Sequence, residues 1–177
     1  MRFFGWLFLA TLSLVLMVQL RLIDGALASP DTPWGIVGFE LAFTRERAAA
    51  MIAVWSSMGV TESALVSLGV DVAFLLVYPF MLRGLVQLLR RDDGSGFQQL
   101  GVRLSAAVLV CIPLDALENA LLWRMLDAGA STPLAVAAGV AASLKFLLVL
   151  VTAAWCGAAL LRRFARGGWR SAVGTDS

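Results

Sequence analysis

Histidine is absent from all 177 residues. With it go the commonest general base, the usual zinc and haem ligand, and the side chain that switches charge near neutral pH. No cofactor or metal is therefore expected, and any chemistry must rest on carboxylates. Only two cysteines occur, Cys111 and Cys156, and both fall in apolar runs, where a free thiol behaves as a small hydrophobe. Charged residues make up 15% of the chain and balance to a net charge of +2. The basic ones sit at the ends of apolar runs rather than on one face, which excludes a nucleic-acid footprint. Lysine occurs once, as Lys145, and tyrosine once, as Tyr78. What is plentiful is apolar: 60% of residues are hydrophobic, which assigns the chain to the integral-membrane class, with the lipid bilayer as its first partner.

Four runs reach the ~20 residues needed to cross a ~30 Å hydrocarbon core. They cover about 3–21, 63–89, 100–123 and 133–161. The first has a competing reading as a signal peptide, because Ala26-Leu-Ala28-Ser29 resembles an A-x-A cleavage site, but the run is long and Arg21 and Asp24 separate it from that site. In the second, Ser67, Asp71, Leu75 and Tyr78 share one helical stripe, and Pro79 predicts a kink near Tyr78. In the third, Pro113 frees the carbonyl of Leu109 just before two acids. Pro133 suits the first turn of the fourth, where Ala135, Gly139 and Ser143 repeat in the small-xxx-small pattern of closely packed membrane helices.

Between the first two runs, residues 30–60 are too broken to span. Pro30, Pro33 and Gly35 punctuate the start, and Glu40 interrupts the next apolar stretch. Thr44 can cap a helix over about 45–58, with Glu46 in its first turn and Met51, Val54, Trp55 and Met58 on one face. The expected arrangement is a cap on the bundle mouth, with Trp34 and Trp55 near the interface and Glu40 solvated, or else folded over a pocket as a further acid. The fold class is thus all-α: a single integral-membrane domain, a polytopic transmembrane four-helix bundle with a short extracytoplasmic interfacial helical segment and a basic tail over 162–177.

Arg2, Arg83, Arg90, Arg91, Arg103, Arg162, Arg163, Arg166 and Arg170 fall on or near the side of the termini, against Arg21, Arg45, Arg47 and Arg124 on the other. The positive-inside rule then predicts an inner (plasma) membrane protein with both termini cytoplasmic. At ~1.5 Å per residue, Glu118 lies about 6 Å deep, Asp115 about 11 Å, Asp71 about 12 Å and Lys145 about 18 Å from the outer boundary. Asp115, Glu118 and Asn119 are spaced i, i+3 and i+4, hence on one helix face. A carboxylate at mid-span costs roughly 2.5–3.5 kcal/mol on insertion scales, so such groups face protein or a wet cavity and mark a site. Lys145 needs a carboxylate partner, Asp115 or Asp71, and acid remains in surplus.

No nucleophile is identifiable and no catalytic residue is assigned. Asp71, Tyr78, Asp115, Glu118, Asn119, Lys145 and Glu40 are candidates for binding a ligand or ion, foremost a lipid headgroup or small molecule held from the extracytoplasmic side. Proton- or cation-coupled transport, which four spans would achieve only as a homo-oligomer, and intramembrane hydrolysis by a carboxylate pair are the alternatives. The plainest reading is a polar staple that holds the helices together. The segments Pro33–Thr44, Ser67–Tyr78 and Asp115-Ala-Leu-Glu-Asn119 resemble small bacterial four-span membrane proteins of unassigned function. That resemblance implies the four-helix topology and the choice of polar positions, and no activity.

Overall fold

The computed structural model describes residues 3–90 and 95–167, and the side chains up to residue 165. Among these every element is helical: α1 (Phe3–Leu27), α2 (Gly35–Glu40), α3 (Arg45–Ser57), α4 (Thr61–Leu75), α5 (Tyr78–Leu89), α6 (Gly96–Ala107), α7 (Cys111–Ala128) and α8 (Thr132–Gly167). With α4–α5 and α6–α7 each taken as one broken rod, four helices are long and apolar enough to cross a membrane. Most of the Arg90–Gly96 turn, Arg2 and the end of the basic tail lie outside the described residues.

Both breaks fall at the prolines. Pro79 opens α5 after a two-residue turn at Leu76 and Val77, and a 3-10 segment, Val108–Val110, precedes Pro113 in α7. A proline lacks the donor that its turn needs, so the helix tightens or restarts there. Helix α7 packs along α8 and against α4, while α1 packs on α4 and α5. Helices α1 and α8 share no comparable interface, which leaves a gap between them.

Of the expected repeat on α8, Ala135 and Gly139 are buried, together with Ala138, Ala142 and Lys145, while Ser143 is not. Ser143 is exposed and its hydroxyl donates to the carbonyl of Gly139 in its own helix. Gly139 serves another purpose. A Cβ there would fall 2.7 Å from the ring of Phe43, whose left-handed backbone (φ 57°) turns the chain out of α2.

The α2–α3 segment, expected as a cap on the bundle mouth, packs against the long helices. α3 begins as expected, with the Thr44 hydroxyl accepting from the Arg47 N–H. Its buried face is Ala48, Met51 and Trp55, while Met58 is exposed. Trp55 is not an interfacial anchor: it is fully buried, set edge-on to Phe39 at 5.3 Å, and donates from Nε1 to the carbonyl of Leu27 at 2.9 Å. Of the two, only Trp34 is exposed. The first helix runs a turn and a half beyond its expected end, through Arg21, Asp24 and the Ala26-Leu-Ala28 motif. Its terminal carbonyl at Leu27 is taken by both Trp55 and the Thr32 hydroxyl. Asp24 Oδ1 accepts from the Ile36 N–H at 2.6 Å, capping α2 from the neighbouring helix. Gly35 makes this possible, since its φ of 48° suits glycine and a Cβ would collide with the same Asp24 oxygen. Helix α2 is thereby held down into the bundle, with Phe39 and Ala42 fully buried.

Candidate functional site

Helix α7 supplies three polar groups from one face, as its spacing dictates: Asp115, Glu118 and Asn119, all buried. The restart of the chain at α5 turns Tyr78 toward them, and its hydroxyl donates to Asp115 Oδ2 at 2.9 Å. Lys145 reaches across from α8 and donates to Asp115 Oδ1 at 2.6 Å. Asp115 thus has both oxygens engaged. The same ammonium lies 2.8 Å from Glu118 Oε2 and 3.8 Å from Glu40 Oε2. Asp71, the other partner expected for Lys145, instead accepts from Asn119 Nδ2 at 2.7 Å. The structure therefore brings all seven candidate residues to one end of the bundle, but splits them. Lys145 is shared by Asp115, Glu118 and Glu40, and Asp71 stands apart with Asn119.

Glu40 is folded into the cluster rather than solvated. Oε2 of Glu40 and both oxygens of Glu118 are buried without a hydrogen-bond partner among the described residues, despite their nearness to Lys145. Two ionised carboxylates cannot donate to each other. A single proton on Glu40 resolves this, because a neutral carboxyl is a donor and Glu118 beside it favours the protonated form. Burial pushes the Glu40 carboxyl well above its ordinary 4.5; Lys145 pulls it back, and Glu118 and Asp71 add to the rise.

The pH dependence follows with a definite sign. Below 4.5 Glu40 is neutral both folded and unfolded, and its contribution to stability is complete. Above that value the unfolded chain ionises first, so stability falls until the pH has passed the raised folded value. The melting temperature of Glu40→Gln, measured from pH 4 to 8, should therefore gain on wild type as pH rises. Parallel curves would show that Glu40 does not carry the proton.

A cavity of about 400 Å³ opens beside the cluster. Asp71, Tyr78, Asp115, Asn119, Lys145 and Glu40 form its polar end, so of the seven candidates only Glu118 stays behind the wall. Phe74, Phe146 and Val149 give it apolar sides, and Phe74 stacks on Tyr78 at 4.8 Å. Sequence reasoning missed Arg21 and Asp24, which line the cavity from α1. Their three-residue spacing at the end of the first apolar run was the available signal. Among the described residues no group of three or more acidic or thiol side chains has the arrangement to hold a metal ion, and both cysteines are free and buried. Comparison with family models, curated proteins and solved structures gives no match to the chain. The class that the fold itself supports is an all-helical protein with four helices fit to cross a membrane.

Proposed function

We propose that this chain is a bacterial inner-membrane protein, with both termini in the cytoplasm, that binds a small molecule or lipid headgroup in the cavity between α1 and α8. The arginine balance supports the orientation: Arg90, Arg103, Arg162 and Arg163 lie toward one end of the four helices, and Arg21, Arg45, Arg47 and Arg124 toward the other. The observation that carries the reading is the cavity itself. Its size falls in the range of small-molecule sites, and its apolar sides end in a few convergent polar groups.

The polar cluster then has two parts with different work. Tyr78, Asp115 and Lys145 saturate one another and act as a staple between α5, α7 and α8. Asp71 and Glu40 line the cavity with acceptor capacity to spare.

Native mass spectrometry of the protein in mild detergent tests this. About one amphiphile per chain should be retained, and filling the cavity with Ser67→Leu should abolish retention while helicity stays at wild-type level. Equal retention by both proteins, or none by wild type, would refute the reading. Proteoliposomes should take up no more protons or cations than protein-free vesicles. Uptake would move the assignment to coupled transport.

A further inference from the structure

We propose that the cavity selects a zwitterionic head, its ammonium donating to Asp71 and its phosphate or carboxylate resting on Arg21. This inference rests on the cavity being a ligand site. It begins from charge. Even with a proton on Glu40, Asp71, Asp115 and Glu118 outnumber the one ammonium, and Lys145 pairs with Asp115 and Glu118 but not with Asp71. Asp71 Oδ2 accepts from Asn119, while Oδ1 has no partner among the described residues. An acceptor left open in this way calls for a ligand that brings an N–H donor and a positive charge.

A guanidinium faces the same cavity from α1. Arg21 lines the cavity, is exposed, and makes no ion pair or hydrogen bond among the described residues. Asp24 also lines the cavity one turn from Arg21, but its Oδ1 is held by the Ile36 N–H, and Lys145 is held by Asp115 and Glu118, which leaves Arg21 and Asp71 as the two charges open to a ligand. A two-carbon linker between an amine and an acid, together with the reach of an arginine, lets one head meet both.

A purely anionic head would meet Asp71 with like charge, and a purely cationic one would leave Arg21 unpaired. A cavity of about 400 Å³ holds such a head and a few methylenes but not two acyl chains. The unpacked gap between α1 and α8 gives a chain its way out, past Met17 and Val149. The rings of Phe74 and Phe146 stand in the wall where an ammonium would pass. The same chemistry belongs to an ethanolamine phospholipid and to a free amino acid or phosphoethanolamine.

The test is thermal stabilisation of the delipidated protein by lysophosphatidylethanolamine, lysophosphatidylglycerol, monoacylglycerol, a single-chain alkylamine and free phosphoethanolamine. Lysophosphatidylethanolamine should bind at least tenfold more tightly than the anionic, neutral and purely cationic amphiphiles. Arg21→Gln should erase its advantage over the alkylamine, and Asp71→Asn its advantage over lysophosphatidylglycerol, each by roughly tenfold or more, as for loss of a charge-assisted hydrogen bond. If free phosphoethanolamine stabilises as well as the lysolipid, the zwitterion assignment stands and the ligand is soluble. Equal stabilisation by all amphiphiles would overturn the zwitterion assignment and leave the cavity a binding site. Absence of stabilisation by any probe would overturn both. Far-UV circular dichroism of the two variants separates lost recognition from lost folding, and Arg21→Lys should restore part of the preference if the positive charge at this position is what matters.

Discussion

Lys145→Met should destabilise the folded protein by about 3–5 kcal/mol, the usual cost of removing one partner from a buried charge cluster. The reason lies in what remains. Asp115 and Glu118 are essentially inaccessible, and Glu40 lies against them. All three are within 4 Å of the one ammonium. Without it, up to three buried carboxyl groups crowd together, and each must take up a proton or repel its neighbours. Asp115→Asn should cost less, because its amide oxygen still accepts from Tyr78 and Lys145 keeps Glu118. The double variant Lys145→Met/Asp115→Asn should be more stable than Lys145→Met alone, since one uncompensated charge has gone with its partner. The midpoint of unfolding in mixed dodecyl sulfate and mild-detergent micelles measures all three. A Lys145→Met protein within about 1 kcal/mol of wild type would mean that the cluster holds its acids protonated and that Lys145 is not its keystone.

Much of this cluster was legible in the chain. The i, i+3, i+4 spacing of Asp115, Glu118 and Asn119 on a helix gives one polar face whatever the helix packs against, and Pro79 and Pro113 break their helices for a local reason. The pairing across helices was only half legible. Asp71 and Asp115 lie at similar depths, so depth alone could not decide which meets Lys145, and the choice turns on Asn119, which engages Asp71 from the next turn of α7.

Glu40 was least accessible to sequence reasoning. A charged residue closing a six-residue helix reads as a breaker in solvent, and here α2 is buried through contacts distant in sequence: Asp24 on its first turn and Trp55 on Phe39. Gly35 carries no signature that separates a close-approach glycine from an ordinary turn glycine. The Ala135, Gly139, Ser143 repeat was legible as far as Gly139, and Ser143 departs from it by facing outward. Small residues admit whatever comes near, and at Gly139 it is the Phe43 ring.

Trp55→Ala should cost a further large amount, about 3–5 kcal/mol, as for other fully buried aromatics. The side chain does three things at once. It fills the contact between α3 and α2 through Phe39, it donates to the Leu27 carbonyl at the end of α1, and it thereby ties the segment carrying Glu40 to the helix carrying Arg21 and Asp24. Trp55→Phe keeps the ring contact and drops only the hydrogen bond, so it should lose about 1 kcal/mol for the bond, plus the smaller volume. The consequence for the site separates this tryptophan from an ordinary core residue. Loosening α2 lets water reach Glu40, and the pH dependence that Glu40 imparts should flatten in Trp55→Ala even when both proteins are compared below their melting points. Hydrogen exchange over residues 35–57 should accelerate in Trp55→Ala, while exchange in α7 and α8 stays near wild type, because the Asp115–Lys145–Tyr78 staple does not run through the cap. Uniform acceleration across all four long helices would show instead that α2 and α3 fold as one unit with the bundle, and that the cavity has no separately movable wall.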